Sequence, residues 1–272
     1  MNEADEFNFA NDSVAQSYDS ILVPVLFVPW AKSLLEENRP WSGNQVLELA
    51  CGTGVVTKEL VQQVLPKGKV IALDINKEMI NIAKLKCAEW VNHIEFIEGS
   101  ADSLAMPDNS MDKIVCQQGF QFFPNKKVVA QEIYRILKPG GRGILSTWSY
   151  VSECEIFNAI CESLEALALN NISNMMRIPF DLLTQQDLLA AFNGIGFSTM
   201  QITKQEKKLF LEGDIDSAIK LVYATPIGPK LNELSNEIQL EFKRIYRAKV
   251  KQLKDKDGSF GGMVSNMLVV EK

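Results

Sequence analysis

Histidine is nearly absent from this 272-residue chain, which contains only His93. Cysteine is sparse too, and none of the five lies in a C-x-x-C pair: Cys51, Cys87, Cys116, Cys154 and Cys161. Zinc sites and disulfide scaffolds are usually assembled from more closely patterned cysteines and histidines. The sequence therefore predicts no metal site, and five reduced thiols that pack as small hydrophobic side chains.

A net positive charge and long hydrophobic runs are also lacking. The net charge is −6, whereas proteins that bind nucleic acid need lysine and arginine to neutralise phosphates. The most apolar run is residues 21–30, only ten residues long and interrupted by Pro24 and Pro29, while a membrane span needs about 20. The N-terminus lacks the basic stretch of a signal peptide. We therefore expect a soluble, cytoplasmic protein with no nucleic-acid partner and no membrane span.

The composition is otherwise that of an ordinary globular protein, with 46% hydrophobic and 23% charged residues. Between residues 45 and 149, short apolar runs alternate with helical stretches; the runs are 45–49, 69–73, 93–97, 112–117 and 143–148. This alternation predicts β-α-β units, hence a parallel sheet with helices on both faces. Beyond residue 150, the pattern predicts mainly helices, with strands at 197–203 and 263–270.

A glycine-containing turn follows the first predicted strand, in the sequence VLELACGTG at residues 46–54. A dinucleotide site would have G-x-G-x-x-G here, but the third glycine is replaced by Thr57. Glu48 would also repel a pyrophosphate. A ligand with an ammonium group and no phosphate therefore fits the turn better, and a nucleotide-dependent oxidoreductase is the weaker alternative.

Two aspartates follow the next strands. Asp74 lies 20 residues after Gly54, a spacing at which a carboxylate can accept hydrogen bonds from both hydroxyls of a ribose. The alternative is that Asp74 merely caps the following helix. Asp102, in the sequence GSAD after the third strand, could accept a hydrogen bond from an exocyclic amine, or it is an ordinary loop residue.

The glycine turn, Asp74, and the segments ADSLAMP at 101–107 and RILKPGG at 135–141 together resemble the ordered motifs of class I S-adenosylmethionine-dependent methyltransferases. The nearest subgroup looks like the bacterial small-molecule enzymes that include quinone-biosynthesis C-methyltransferases. The resemblance covers about residues 40–150. It implies an α/β, Rossmann-like three-layer sandwich with a seven-stranded, mostly parallel sheet, an antiparallel last strand and a helical lid.

The resemblance also implies S-adenosyl-L-methionine as cofactor and a role for each matching residue. Glu48 would lie near the amino group of the cofactor, and Asp74 would bind the ribose diol. The remaining cofactor-binding residues would supply backbone in the turn (Ala50, Cys51, Gly52, Gly54), pack on the adenine (Ile75, Met79), read its edge (Ala101, Asp102) or contact the amino-acid end (Gln117, Gln118). Tyr18 resembles a tyrosine that covers the donor site, or it is an ordinary core tyrosine.

On this interpretation, residues 1–40 form a helical lid segment and residues 41–272 the methyltransferase domain. Its cofactor-binding half is 41–150, and its substrate-side helical insertions are about 150–195 and 214–258. No catalytic base is evident, because His93 opens the third strand at the end away from the ligand edge. We expect in-line methyl transfer to a small organic or lipophilic acceptor. A non-catalytic S-adenosylmethionine-binding regulator is the alternative.

Overall fold

The computed structural model describes residues 12–181, 183–211 and 215–272, with only the backbone described for residues 12–14. The predicted lid segment, 1–40, therefore begins outside the described residues. The chain forms two compact units. One, the sheet unit, comprises Phe27–Thr147, Leu183–Lys204 and Asn266–Lys272. The other, the helical unit, comprises the N-terminal residues up to Leu26 together with Trp148–Leu182 and Gln205–Ser265. The division at residue 40 stays a prediction.

Seven strands of the described residues form one sheet in the order β3-β2-β1-β4-β5-β7-β6. They are β1 (Gln45–Leu49), β2 (Lys69–Asp74), β3 (Ile94–Glu98), β4 (Met111–Gln117), β5 (Leu137–Trp148), β6 (Thr199–Lys208) and β7 (Gly262–Glu271). Strands β1 to β5 pair in parallel. The N–H of Gly140 donates to the carbonyl of Lys272, and that of Ser149 to Val264, so β7 runs antiparallel to β5. The predicted fold class is confirmed.

Helices connect these strands. They are α1 (Asp12–Ser17), α2 (Val28–Glu37), α3 (Val55–Val64), α4 (Lys77–Lys86), α5 (Lys126–Ile136), α6 (Glu155–Glu165), α7 (Asn170–Asp181), α8 (Gln185–Phe192), α9 (Ile215–Tyr223), α10 (Gly228–Asn232) and α11 (Asn236–Leu253). A π-helix, Tyr18–Phe27, joins α1 to α2. Asn76 caps the start of α4, because its side chain accepts hydrogen bonds from the backbone N–H groups of Glu78 and Met79.

The sheet unit has an apolar core on each face of its parallel strands, because side chains alternate along a strand. On β4, Val115 packs with α2 and α3, whereas Ile114 and Cys116 pack with α5 and α8. All five cysteines lie in the described residues, are buried and form no disulfide, as predicted. The parallel strands are therefore covered on both faces, and their carboxyl ends form the accessible edge of the unit.

The N-terminal segment is helical over a longer stretch than its uninterrupted apolar run. Helical backbone continues through Pro24 and Pro29, whereas the sequence argument treated both prolines as interruptions. As a result, Ala15–Glu37 is a 23-residue helical stretch that has the length and composition of a membrane-spanning helix. Core helices of soluble proteins meet the same criterion, and 39% of the most apolar window is buried. The cytoplasmic location therefore stays a prediction.

Candidate functional site

The turn after β1 is shaped by three residues with positive φ: Ala50 (54°), Gly52 (53°) and Gly54 (80°). The N–H of Gly54 donates to the carbonyl of Cys51 and closes the turn. A Cβ atom on Gly54 would lie 2.9 Å from the Cβ of Ala83, so glycine allows α3 to begin directly against α4. The backbone of the turn is thus held at the carboxyl edge of the sheet.

The carboxylate of Asp74 ties this turn to the end of β2. Its Oδ2 accepts a hydrogen bond from the backbone N–H of Gly52, and its Oδ1 accepts one from Asn76, both at 2.8 Å. Burial raises the pKa of Asp74, against the opposing effect of the backbone donors. Because Asn76 is the residue that caps α4, the capping alternative for Asp74 is wrong. A carboxylate has about four acceptor positions, so Asp74 can accept a further hydrogen bond from a ligand hydroxyl beside those from the backbone.

Glu48 is buried beneath the turn. The hydroxyl of Thr57 donates to its Oε2 at 2.6 Å. Burial raises the pKa of Glu48 to about 8, an effect that the Thr57 hydrogen bond reduces and the charge of Asp74 increases. Thr57 occupies the position of the third glycine in the dinucleotide pattern, and it is the residue that donates to Glu48. The sequence showed that this position differs from the pattern, but it did not predict the hydrogen bond.

The turn after β4 meets the turn after β1. A Cβ atom on Gly119 would lie 2.5 Å from that of Ala50, so the two loops are in direct contact at the point where the strand order reverses. At the end of β4, the amide nitrogen of Gln117 donates to the carbonyl of Phe27 at 3.0 Å. Its Oε1 is buried and has no hydrogen-bond partner among the described residues. Gln118 follows with a φ of 54°.

The remaining predicted residues occupy neighbouring positions on the same edge or lie in the other unit. Ile75 is 74% exposed, whereas Met79 and Ala101 are buried. Asp102 accepts a hydrogen bond from the hydroxyl of Ser100 at 2.6 Å. Apart from Tyr18, all the predicted cofactor-binding residues thus belong to the sheet unit. Tyr18 lies in the π-helix of the helical unit, and its role stays a prediction.

The chemistry of this edge favours a ligand rich in hydrogen-bond donors. Carboxyl oxygens of Glu48, Asp74 and Asp102 and the Oε1 of Gln117 can all accept hydrogen bonds. The buried hydroxyl of Thr53, within the turn, has no partner among the described residues. A diol, an amine and an ammonium group would satisfy these atoms, so the residues present fit S-adenosylmethionine. The described residues contain no group of three or more side chains able to hold a metal ion.

Ala50 offers a test of the geometry of the turn. An alanine in the left-handed region carries a conformational cost that glycine does not. We therefore expect Ala50→Gly to stabilise the fold by about 0.5–1 kcal/mol. Chemical denaturation should reveal this as a higher midpoint with an unchanged slope. Ala31→Gly, a change in the middle of α2, is the opposite control and should destabilise the protein.

Comparison with known proteins shows what the chain is similar to. Residues 46–141 match a family described as a methyltransferase domain. The chain is 36% identical over 135 residues to a demethylmenaquinone methyltransferase of Lactococcus lactis, a match that covers 48% of this chain and 54% of that protein. It is 32% identical over 143 residues to a ubiquinone/menaquinone biosynthesis C-methyltransferase of Hahella chejuensis, covering 51% and 57% respectively. The match thus spans little more than half the length of these relatives.

Solved structures extend the likeness of fold to the whole chain. Phosphoethanolamine N-methyltransferase 2 of Haemonchus contortus, solved with S-adenosyl-L-methionine, aligns with a TM-score of 0.64 at 14% identity. The alignment covers 100% of this chain and 60% of that protein. At this identity the likeness concerns the fold alone. The family match over residues 46–141 confirms the resemblance to methyltransferases that the motifs indicated.

Proposed function

We propose that the protein is an S-adenosylmethionine-dependent methyltransferase. The observation that carries this proposal is the convergence of Asp74, Gly52, Glu48 and Gln117 on the carboxyl edge of β1, β2 and β4. This edge presents hydrogen-bond acceptors and a backbone turn, without a site for pyrophosphate. The family match and the motifs support the same cofactor.

In this proposal, Asp74 accepts hydrogen bonds from the ribose hydroxyls. Gln117 accepts a hydrogen bond from the ammonium group, and Glu48 neutralises its charge. Ile75 and Met79 pack on the adenine, whose edge Ala101 and Asp102 recognise. The cofactor supplies a methyl group already activated by its sulfonium. The residues of the chain bind the cofactor and the acceptor, orient them and exclude water. Such alignment of the reacting groups lowers the reaction barrier by about 7–11 kcal/mol in favourable cases.

We further propose a small organic acceptor of the quinol type. The relatives reported above are named for demethylmenaquinone and for ubiquinone/menaquinone biosynthesis, and their matches support this acceptor class for the present chain. Transfer would proceed by in-line displacement. Incubation of the protein with methyl-labelled S-adenosylmethionine and demethylmenaquinol should give labelled menaquinol; absence of product from cofactor-binding protein would contradict this acceptor.

Calorimetric titration of S-adenosylmethionine, S-adenosylhomocysteine and NAD tests the cofactor. Wild-type protein should bind the first two and not NAD. Asp74→Ala should weaken binding tenfold or more, because charged hydrogen bonds to the ribose are lost. Asp112→Ala is the matched control, since Asp112 also accepts a backbone hydrogen bond across strands, from Gln45, but at the amino end of the sheet. Folded wild-type protein that binds neither methyl-donor ligand would overturn the proposal.

A further inference from the structure

Two polar side chains on one face of β4 hold the two ends of helix α2. Lys113 and Gln117 point to the same face because they are four residues apart on a strand. Gln117 donates to the carbonyl of Phe27, the residue that precedes α2. At the other end, Lys113 donates to the carbonyls of Asn38 and Pro40, at 2.5 and 2.8 Å, just beyond the last residue of α2.

The middle of the contact is apolar. Val115 lies between the two polar residues and belongs to a buried cluster that includes Ala31, Leu34 and Leu35 of α2. On this face of β4, Gln117 therefore meets the start of α2, Val115 meets its apolar stripe and Lys113 meets its end. This arrangement fixes α2 along its axis as well as against the sheet.

Lys113 is specialised for the end of the helix. It is 8% exposed, its Nζ lies 4.2 Å from the centre of the Trp41 ring, and it has no ion-pair partner among the described residues. Its hydrogen-bond acceptors are carbonyl oxygens at the negative end of the helix dipole. Burial, with a smaller effect from Arg142, lowers the pKa of Lys113 to about 8. A buried cation without a counter-ion is costly, and here the two carbonyls and the Trp41 ring offset that cost.

The contact at the other end determines how Gln117 faces the cofactor edge. Only the amide nitrogen can donate to the Phe27 carbonyl, so the hydrogen bond fixes which end of the carboxamide is the oxygen. The Oε1 is left buried and without a partner. An ammonium group is the donor that the proposed cofactor would bring to this atom.

We propose that Lys113 and Gln117 clamp α2 so that the carboxamide oxygen of Gln117 is held ready for the ammonium group of the cofactor. Lys113 is then a positioning residue for cofactor binding, although it stands about 13 Å along the strand from Gln117. Docking of α2 and recognition of the amino-acid end of the cofactor are coupled, and the coupling is reciprocal. This inference rests on the proposed function.

Two probes separate this role from a purely structural one: S-adenosylhomocysteine, which carries the ammonium group, and 5′-methylthioadenosine, which lacks the amino-acid part. By calorimetry, Gln117→Met should lower the affinity for the first probe about tenfold, since a hydrogen bond to a charged group is lost. Lys113→Met should lower the same affinity threefold to tenfold. Both variants should bind methylthioadenosine within twofold of the wild type.

Lys113→Arg keeps donors for both carbonyls and should stay within threefold of the wild type for both probes. Lys69→Met removes a lysine from an exposed ion pair with Glu95, at the same end of the sheet, and should change neither affinity. If Lys113→Met does not fold, Lys113→Gln, which keeps a donor but is too short to reach both carbonyls, takes its place and should show the same selective loss for S-adenosylhomocysteine.

Equal losses for both probes, or no loss for either, would overturn the inference while the cofactor assignment stands. Wild-type protein that binds S-adenosylhomocysteine no more tightly than methylthioadenosine would also overturn the inference, but not the proposed cofactor. Wild-type protein that binds neither probe would overturn the proposed cofactor and the inference together.

Discussion

Gly54→Ala is expected to lower the melting temperature by about 5–15 °C. The φ of Gly54 is 80°, and a left-handed conformation costs a residue with a Cβ atom about 1–2 kcal/mol. The new Cβ would also meet the Cβ of Ala83 at 2.9 Å and its Cα at 3.2 Å, and such overpacking adds about 1–3 kcal/mol. In a chain of this size each kcal/mol shifts the melting temperature by about 2–4 °C.

Two other glycines separate the conformational cost from the overpacking cost. Gly140 has a φ of 76° and Gly52 a φ of 53°, and a Cβ on either would meet nothing within 4 Å. Gly140→Ala and Gly52→Ala should therefore show only the conformational part of the loss, about half of that in Gly54→Ala. Gly52→Ala should in addition weaken S-adenosylhomocysteine binding, because Gly52 lies in the cofactor turn. Equal melting temperatures for Gly54→Ala and Gly140→Ala would contradict the packing argument.

Local signals explain why much of the fold could be predicted. The run from Gln45 to Leu49 and the turn that follows depend on neighbouring residues, and each lies where the sequence indicated. The spacing from Gly54 to Asp74 reflects a helix and a strand of standard length. The spacing predicted a ribose-binding carboxylate at Asp74, and that role stays a prediction, although the structure does join Asp74 to the glycine turn through the N–H of Gly52.

Features that depend on distant partners were not predictable. Strand β5 begins at Leu137, six residues before the predicted start, although Pro139, Gly140 and Gly141 are typical of a loop. This segment is ordered by Lys272, which exchanges backbone hydrogen bonds with Gly140 and Gly141 from the far end of the chain. The contact between Lys113 and the end of α2 likewise joins residues more than 70 positions apart.

Glu48→Gln is expected to stabilise the ligand-free protein at alkaline pH. Because the folded pKa of about 8 exceeds the ordinary value of 4.5, the folded state binds a proton more tightly than the unfolded chain. Stability therefore falls as the pH rises between these two values and is constant above them. Each unit of pKa difference corresponds to about 1.4 kcal/mol, so the variant should gain a few kcal/mol above pH 8 and little below pH 4.5.

Urea unfolding at pH 5, 7 and 9 measures this gain. Glutamine keeps the size of the side chain and a carbonyl oxygen to accept from Thr57, so the variant isolates the charge. Glu95→Gln is the control, because Glu95 lies in an exposed ion pair and should show no comparable pH dependence. A gain of the same size at all three pH values would mean that the ionisation of Glu48 is not the cause.

The raised pKa of Glu48 should also make ligand binding depend on pH. A cofactor ammonium group near the turn would favour the ionised carboxylate, so binding should release a proton at neutral pH. The affinity of wild-type protein for S-adenosylhomocysteine should then rise with pH up to about 8, by at most tenfold per unit.

Titration in buffers of different ionisation enthalpy detects the released proton. Glu48→Gln should abolish this release and bind more weakly at pH 8, since an uncharged amide attracts the ammonium group less. The same carboxyl group would thus lower the stability of the empty protein and favour the bound one.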